Sequence, residues 1–310
     1  MGWIWLAVGG QFLNAIVAVI DKYIVSDETA IPKPFVYAFF SCLLAGVWLL
    51  IFAVGWLPGM RVVGVPHISE VGMPTLELLA MAFFAAYAFF LALVSMFDAL
   101  KHDTPSNVMP VIGSVAAIAS LGLNYLFLDA ALSDTFIVGI LLLAIGTFLV
   151  SQANFNLKLV SITFHSGLFF ALHLITMKGI FQMTSFADGF FWSRVALVLF
   201  ALSLLLVPAY WKKIRQGTEH TTARGGAIVL VNKFIAGVAA FMLLQATDWG
   251  EVSVVQALDG LKFVFILFIS YLVTLWWPTY VTERGTKPRD VIRKVLYVSI
   301  IVIGFVMLFV

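Results

Sequence analysis

The chain has 310 residues, 62% of them hydrophobic and 11% charged, with a mean hydropathy of +1.06. A soluble domain holds roughly 45–50% apolar and about 25% charged residues, so this composition excludes a single water-soluble core and fits lipid as the solvent. Eighteen basic against sixteen acidic residues leave +2 and no field for nucleic acid, and the lone Cys42 excludes a disulfide framework or a cysteine metal site.

A membrane span takes about 20 mostly apolar residues. Ten segments are predicted to meet that standard: Trp3–Ile20, Phe35–Val54, Leu76–Phe97, Pro105–Leu128, Thr135–Val150, Leu157–Met177, Ala187–Val207, Ala227–Leu244, Val252–Leu275 and Val291–Val310. Barrel strands need only about 10 residues of alternating character, so the expected fold is an all-α integral membrane protein. The first run lacks a basic leader and feeds further spans, so no cleavable signal is expected. Trp56-Leu57-Pro58-Gly59 and Val65-Pro66 break the chain between spans two and three. The polar stretches Lys212–Gly226 and Pro278–Asp290 separate spans seven and eight and spans nine and ten. Trp276 and Trp277 read as interface anchors.

Lys and Arg sort by side. Odd-numbered loops hold thirteen: Lys22, Lys33, Lys101, Lys158, Lys212, Lys213, Arg215, Arg224, Arg284, Lys287, Arg289, Arg293 and Lys294. The terminal side and the even-numbered loops hold two, Arg61 and Lys178. The positive-inside rule then puts both termini away from the cytoplasm of a multi-pass plasma membrane protein, in a bacterial or archaeal inner membrane.

An internal repeat runs through these spans. At an offset of 156, Ala15, Lys22 and Phe35 fall on Ala171, Lys178 and Phe191; at 147, Ala99, Ser106, Val108 and Gly113 fall on Ala246, Ser253, Val255 and Gly260. Residues 1–155 and 156–310 each hold five predicted spans. Two odd-numbered halves in series insert with opposite orientation, which is the inverted-topology repeat of alternating-access transporters.

Asn14, Asp21-Lys22, Ala99-Leu100-Lys101, Pro105-Ser106-Asn107-Val108, Trp192-Ser193-Arg194 and the run Glu251–Leu258 resemble the EamA-like branch of the drug/metabolite transporter superfamily over nearly the whole chain. The family often has Gly-Glu after helix four, where this chain reads Leu128-Asp129-Ala130. The resemblance implies ten helices, a transport activity, and a pathway lined by spans one, three, four, six, eight and nine. Members often keep both termini in the cytoplasm, which is opposite to the charge count here.

Ionisable groups at bilayer depth cost about 2.5–3.5 kcal/mol on insertion scales and are functional candidates. Asp259 and Lys262, three apart on one face of span nine, are spaced to pair. Read functionally, Lys262 is a substrate or proton site balanced by Asp259; read structurally, the two merely neutralise each other for insertion. Arg194 in span seven has a fork suited to carboxylate or phosphate, or snorkels and holds backbone carbonyls. Lys233 in span eight is a binding or snorkelling residue, and His173 in span six is a proton relay or a packed, hydrogen-bonded histidine. Asn14, Asn107 and Gln256 are polar pathway candidates, while Asp21, Lys22 and Lys178 read as gate residues or interface lysines. Neither His165 nor His173 of span six has a His or carboxylate at i+4, and no metal or other cofactor is expected.

The leading expectation is a secondary active or facilitative transporter of a small polar metabolite, anionic or zwitterionic. It is expected as a monomer or homodimer in contact with membrane lipid, with protons as the candidate coupling ion. No phosphate loop of the Gly-x-x-x-x-Gly-Lys type occurs, so the energy source is a gradient. The alternatives are a flippase for a lipid or lipid-linked substrate and an intramembrane enzyme. The second lacks a nucleophile–base constellation, so no enzymatic activity is expected.

Overall fold

In the computed structural model, residues 2–60, 65–127, 134–150 and 157–276 are described, with scattered helical positions between 296 and 307. The chain opens with α1 (Gly2–Ser26). Helix α2 (Pro34–Leu44) starts on Pro34, whose fixed φ and missing N–H cost nothing at a first helical position. It tightens into a 3-10 segment, Ala45–Leu50, and relaxes into α3 (Ile51–Val54), so a single pass has a constricted middle. Next come α4 (Leu76–His102), α5 (Pro105–Phe127), α6 (Asp134–Val150), α7 (Leu157–Met183) and α8 (Phe186–Leu204). The chain continues through α9 (Pro208–Thr218), α10 (Ala223–Trp249), α11 (Val252–Ala257) and α12 (Asp259–Trp276). Hydroxyl caps start three of them: Thr75, Ser185 and Thr222 accept from the N–H groups of Leu78, Asp188 and Gly225.

Seven passes among the described residues are long and apolar enough to cross a membrane: α1, Pro34–Val54, α4, α5, α7, α8 and α10. The protein is therefore an all-helical, multi-pass membrane protein among its described residues. Two expectations are corrected. Span nine is not one helix but two, α11 and α12, interrupted at Leu258. The Asp259-Gly260 dipeptide explains this, since Gly is a poor helix former and Asp favours a first turn. The polar stretch after span seven is also not plain loop, because Pro208 nucleates α9 there. Most of the expected tenth span, with Trp277, Arg61 and Leu128-Asp129-Ala130, lies outside the described residues.

Helix α1 packs along α10 and α4 along α7, while α5 packs against α6 and α7. Small residues permit these approaches. A Cβ on Gly167 of α7 would meet Ile112 O of α5 at 2.6 Å, and Ser166 donates to Ala92 O of α4 at 2.9 Å. Outward positions such as Trp5, Phe84, Leu199, Leu230 and Phe234 stay exposed, as lipid-facing side chains do. The tightest contact joins the constricted part of the second pass to α10. Trp48 packs against Gly237 and stacks on Phe234 with ring centroids 5.5 Å apart.

A Cβ at Gly237 would fall 1.5 Å from Trp48 Nε1. Gly237→Ala is therefore expected to destabilise the fold by about 1–3 kcal/mol through overpacking, lowering the melting temperature in detergent. In a Trp48→Ala background the further loss from Gly237→Ala should shrink to a small fraction, and an unchanged melting temperature in Gly237→Ala alone would refute the contact.

Candidate functional site: a charged cavity between the helices

A cavity of about 210 Å³ lies between the helices and is lined by side chains from α1, the second pass, α4, α5, α7, α8, α10, α11 and α12. Among the described residues its charged or titratable lining consists of Asp21, His173, Arg194, Lys233, Asp259 and Lys262. Gln11, Asn14 and Ser41 add uncharged polar groups, and Trp48, Phe89, Phe97 and Phe170 contribute rings.

Three charged centres differ in how they are satisfied. The first gathers on Asp21, which is 2% exposed and five residues before the end of α1. Its Oδ1 accepts from Tyr37 Oη, from Asn232 Nδ2 at 2.7 Å and from Lys233 Nζ at 3.2 Å. Asn232 Nδ2 also donates to Tyr37 Oη at 3.0 Å, and Lys233 Nζ sits 4.1 Å from the Tyr37 ring centroid and 5.0 Å from that of Phe97. A lysine and two further donors thus converge on one oxygen of this buried carboxylate. The cluster lies at the end of the cavity where the connection after α1 meets that before α10. There Thr222 N donates to Thr29 O at 3.0 Å and Thr221 Oγ1 to Ala30 O at 2.8 Å.

The second centre is the pair read from sequence. Lys262 Nζ donates to Asp259 Oδ2 at 2.7 Å, with both side chains largely buried. The break at Leu258 puts Asp259 in the first turn of α12, where the helix dipole favours negative charge. Gly113 of α5 makes room, since a Cβ there would stand 3.1 Å from Asp259 Oδ2 and 2.8 Å from the Phe263 ring.

The third centre is Arg194 of α8, 5% exposed. Its guanidinium lies 4.9 Å from the Phe190 ring centroid one turn earlier. Its Nε has no hydrogen-bond partner, and among the described residues it makes no ion pair. His173 of α7 bonds through Nδ1 to Ala85 O at 3.0 Å and packs on Phe89. With Nδ1–H donating, Nε2 is left as an acceptor.

Three other sequence candidates fall elsewhere. Lys22 does not line the cavity and donates to Leu100 O in the last turn of α4 at 2.7 Å. Lys178 likewise donates to the carbonyls of Thr247, Asp248 and Gly250 at the end of α10, at 3.0, 2.8 and 3.0 Å. Both ammonium groups satisfy carbonyls that have no partner within their own helix. Asn107 bonds Asp103 Oδ1 at 3.1 Å at the start of α5, outside the cavity. The Gln256 side chain lies outside the described residues. Sequence reasoning missed Tyr37, Asn232 and Gln11. Asn232 sits next to Lys233 in an apolar span, a signal that was available; Tyr37 and Gln11 had none.

No family model matches the chain, and no curated protein matches it either. Among solved structures, one described only as a crystal structure of a protein is similar, with a TM-score of 0.64 and 16% identity over 99% of this chain and 96% of that one. At that identity the likeness shows a shared fold alone.

Removing one partner of a buried ion pair costs about 3–5 kcal/mol because the other charge is left uncompensated. Asp21→Asn is expected to destabilise the protein on that scale, and Asp21→Asn with Lys233→Met to recover most of it. Denaturation midpoints in mixed micelles measure this; a double variant no better than the single would refute the pairing.

Proposed function

We propose that the chain is a secondary transporter that moves a small polar metabolite, anionic or zwitterionic, across a cell membrane. The observation that carries this reading is the cavity itself, a charged space enclosed by lipid-facing helices with ion pairs at its wall. Such groups are costly at membrane depth and mark solute or proton pathways. In this reading alternating access is a rocking of two five-helix halves, residues 1–155 and 156–310, with inverted topology and ten helices in all.

Several features support the repeat. Lys22 and Lys178, equivalent at the offset of 156, satisfy the ends of α4 and α10 in the same way. The contacts of α1 with α10 and of α7 with α4 are exchanged by the same equivalence. Gly113 and Gly260, paired at the offset of 147, both sit where a Cβ would collide, with Phe263 and with Thr147. The broken α11–α12 pass fits the interrupted helices of transporter sites. The resemblance to EamA-like transporters belongs to this reading, as does a basic, cytoplasmic side bearing α9, with both termini opposite. The two ion pairs give protons or substrate a place to exchange, and the reading assigns no enzymatic step, nucleic acid or cofactor to the chain.

The test is flux into proteoliposomes for a panel of amino acids, organic acids, amines and nucleotide sugars, with labelled-lipid scrambling followed in parallel. Saturable uptake of one class is expected, abolished in Lys262→Ala while the folded protein remains in the membrane. Normal transport by Lys262→Ala would remove that residue from the mechanism. Scrambling without solute flux would replace the transporter with a flippase.

A further inference from the structure

Among the described residues three cations face the cavity, and two of them have a carboxylate: Lys233 has Asp21 at 3.2 Å and Lys262 has Asp259 at 2.7 Å. Arg194 has only the Phe190 ring, although it is as thoroughly buried as either lysine. The charges of the described lining therefore sum to one positive charge in excess, or two when His173 is protonated. A buried, uncompensated guanidinium with an unpartnered Nε is a costly arrangement unless a ligand completes it.

We propose that Arg194 is the substrate anchor and that the substrate is a small monoanionic carboxylate with an apolar body. The proposal deepens the transport reading and takes its physiological meaning from it. The guanidinium fork matches a carboxylate with two parallel N–H···O bonds. One negative charge cancels the excess; a zwitterion leaves it in place, and a dianion reverses it. Beside Gln11, Asn14 and Ser41 the rest of the described wall is largely apolar, with Phe89, Leu93, Met96, Phe97 and Phe170 available to an alkyl or aryl group. The 210 Å³ volume lies below the roughly 300–1,000 Å³ of drug-sized sites, so the body is of metabolite size. Gln11 Oε1, buried in the lining and without a partner, is placed to accept from a neutral hydroxyl or amide on the same ligand.

The experiment is isothermal titration of the purified full chain in detergent. Its panel varies charge on one skeleton: phenylacetate, phenylacetamide, phenylalanine, phenethylamine and phenylmalonate, with 4-methylpentanoate and acetate as aliphatic and body-free monoanions. Phenylacetate or 4-methylpentanoate is expected to bind at least about ten times more tightly than the neutral, zwitterionic, cationic, dianionic and body-free members. Arg194→Gln should weaken that binding by roughly tenfold or more, the loss of a charge-assisted pair, while Arg194→Lys keeps the preference for monoanions at reduced affinity. Equal binding of phenylacetamide or phenylalanine overturns the anchor, as do unchanged binding in Arg194→Gln and no binding of either monoanion with an apolar body. If Arg194→Gln does not fold, the wild-type order and Arg194→Lys decide alone. Flux separates the two claims. A chain that carries phenylalanine but ignores phenylacetate keeps transport and loses the anchor. One that binds phenylacetate through Arg194 yet moves no solute keeps the anchor and loses transport.

Discussion

A charge enclosed by helices whose outer faces meet hydrocarbon must find its compensation inside the fold, because the surrounding lipid supplies none. Most of the interior arrangement follows from that requirement. Asp21 draws Lys233, Asn232 and Tyr37 together and thereby joins α1, α2 and α10. Asp259 holds Lys262 across one turn of α12. Arg194 is the exception, and the asymmetry between two neutral pairs and one cation without a carboxylate among the described residues is what the anchor proposal rests on. A ring face offers a cation partial relief, but it leaves the in-plane N–H donors free.

The second constraint is close approach. Helices in lipid gain little from burying leucines against one another and associate through contact between small residues and through side-chain bonds to backbone carbonyls. Gly167 against Ile112 O, Gly237 under Trp48 and Ser166 on Ala92 O are of this kind. The 3-10 stretch Ala45–Leu50 belongs to the same pattern, since it carries Trp48 to α10 while Gly46 packs on Val198 of α8. A constricted stretch beside a cavity wall is a natural point for the second pass to bend.

The membrane class and the position of most helices were legible in sequence because apolar runs and breaker dipeptides are local signals. Asp259-Lys262 was legible for the same reason, as its two members lie on one helix. The Asp21–Lys233 pair was not: its members are 212 positions apart in sequence, and only the packing of α1 on α10 brings them together. Read locally, Asp21-Lys22 looked like a dipeptide acting as one unit, whereas the fold turns Asp21 inward and Lys22 toward Leu100 O. The break at Leu258 had a sequence signal in Asp259-Gly260 that hydropathy over a long window averages away. Arg194 was legible as a buried cation, but its lack of a partner is a property of three dimensions only.

The acceptors chosen by Lys22 and Lys178 differ in kind from those of the cavity lysines. They are backbone carbonyls at the ends of α4 and α10, and a carbonyl oxygen does not take up a proton in any physiological range. The Asp21 and Asp259 pairs need a particular side chain on both sides, whereas these two tethers need one on the lysine side only. A substitution at Asp21 or Asp259 removes a cavity pair outright, while α1 stays fastened to α4 and α7 to α10 by acceptors that every residue type supplies. The molecule thus combines joints that a single acidic residue can dissolve with others anchored in the backbone itself.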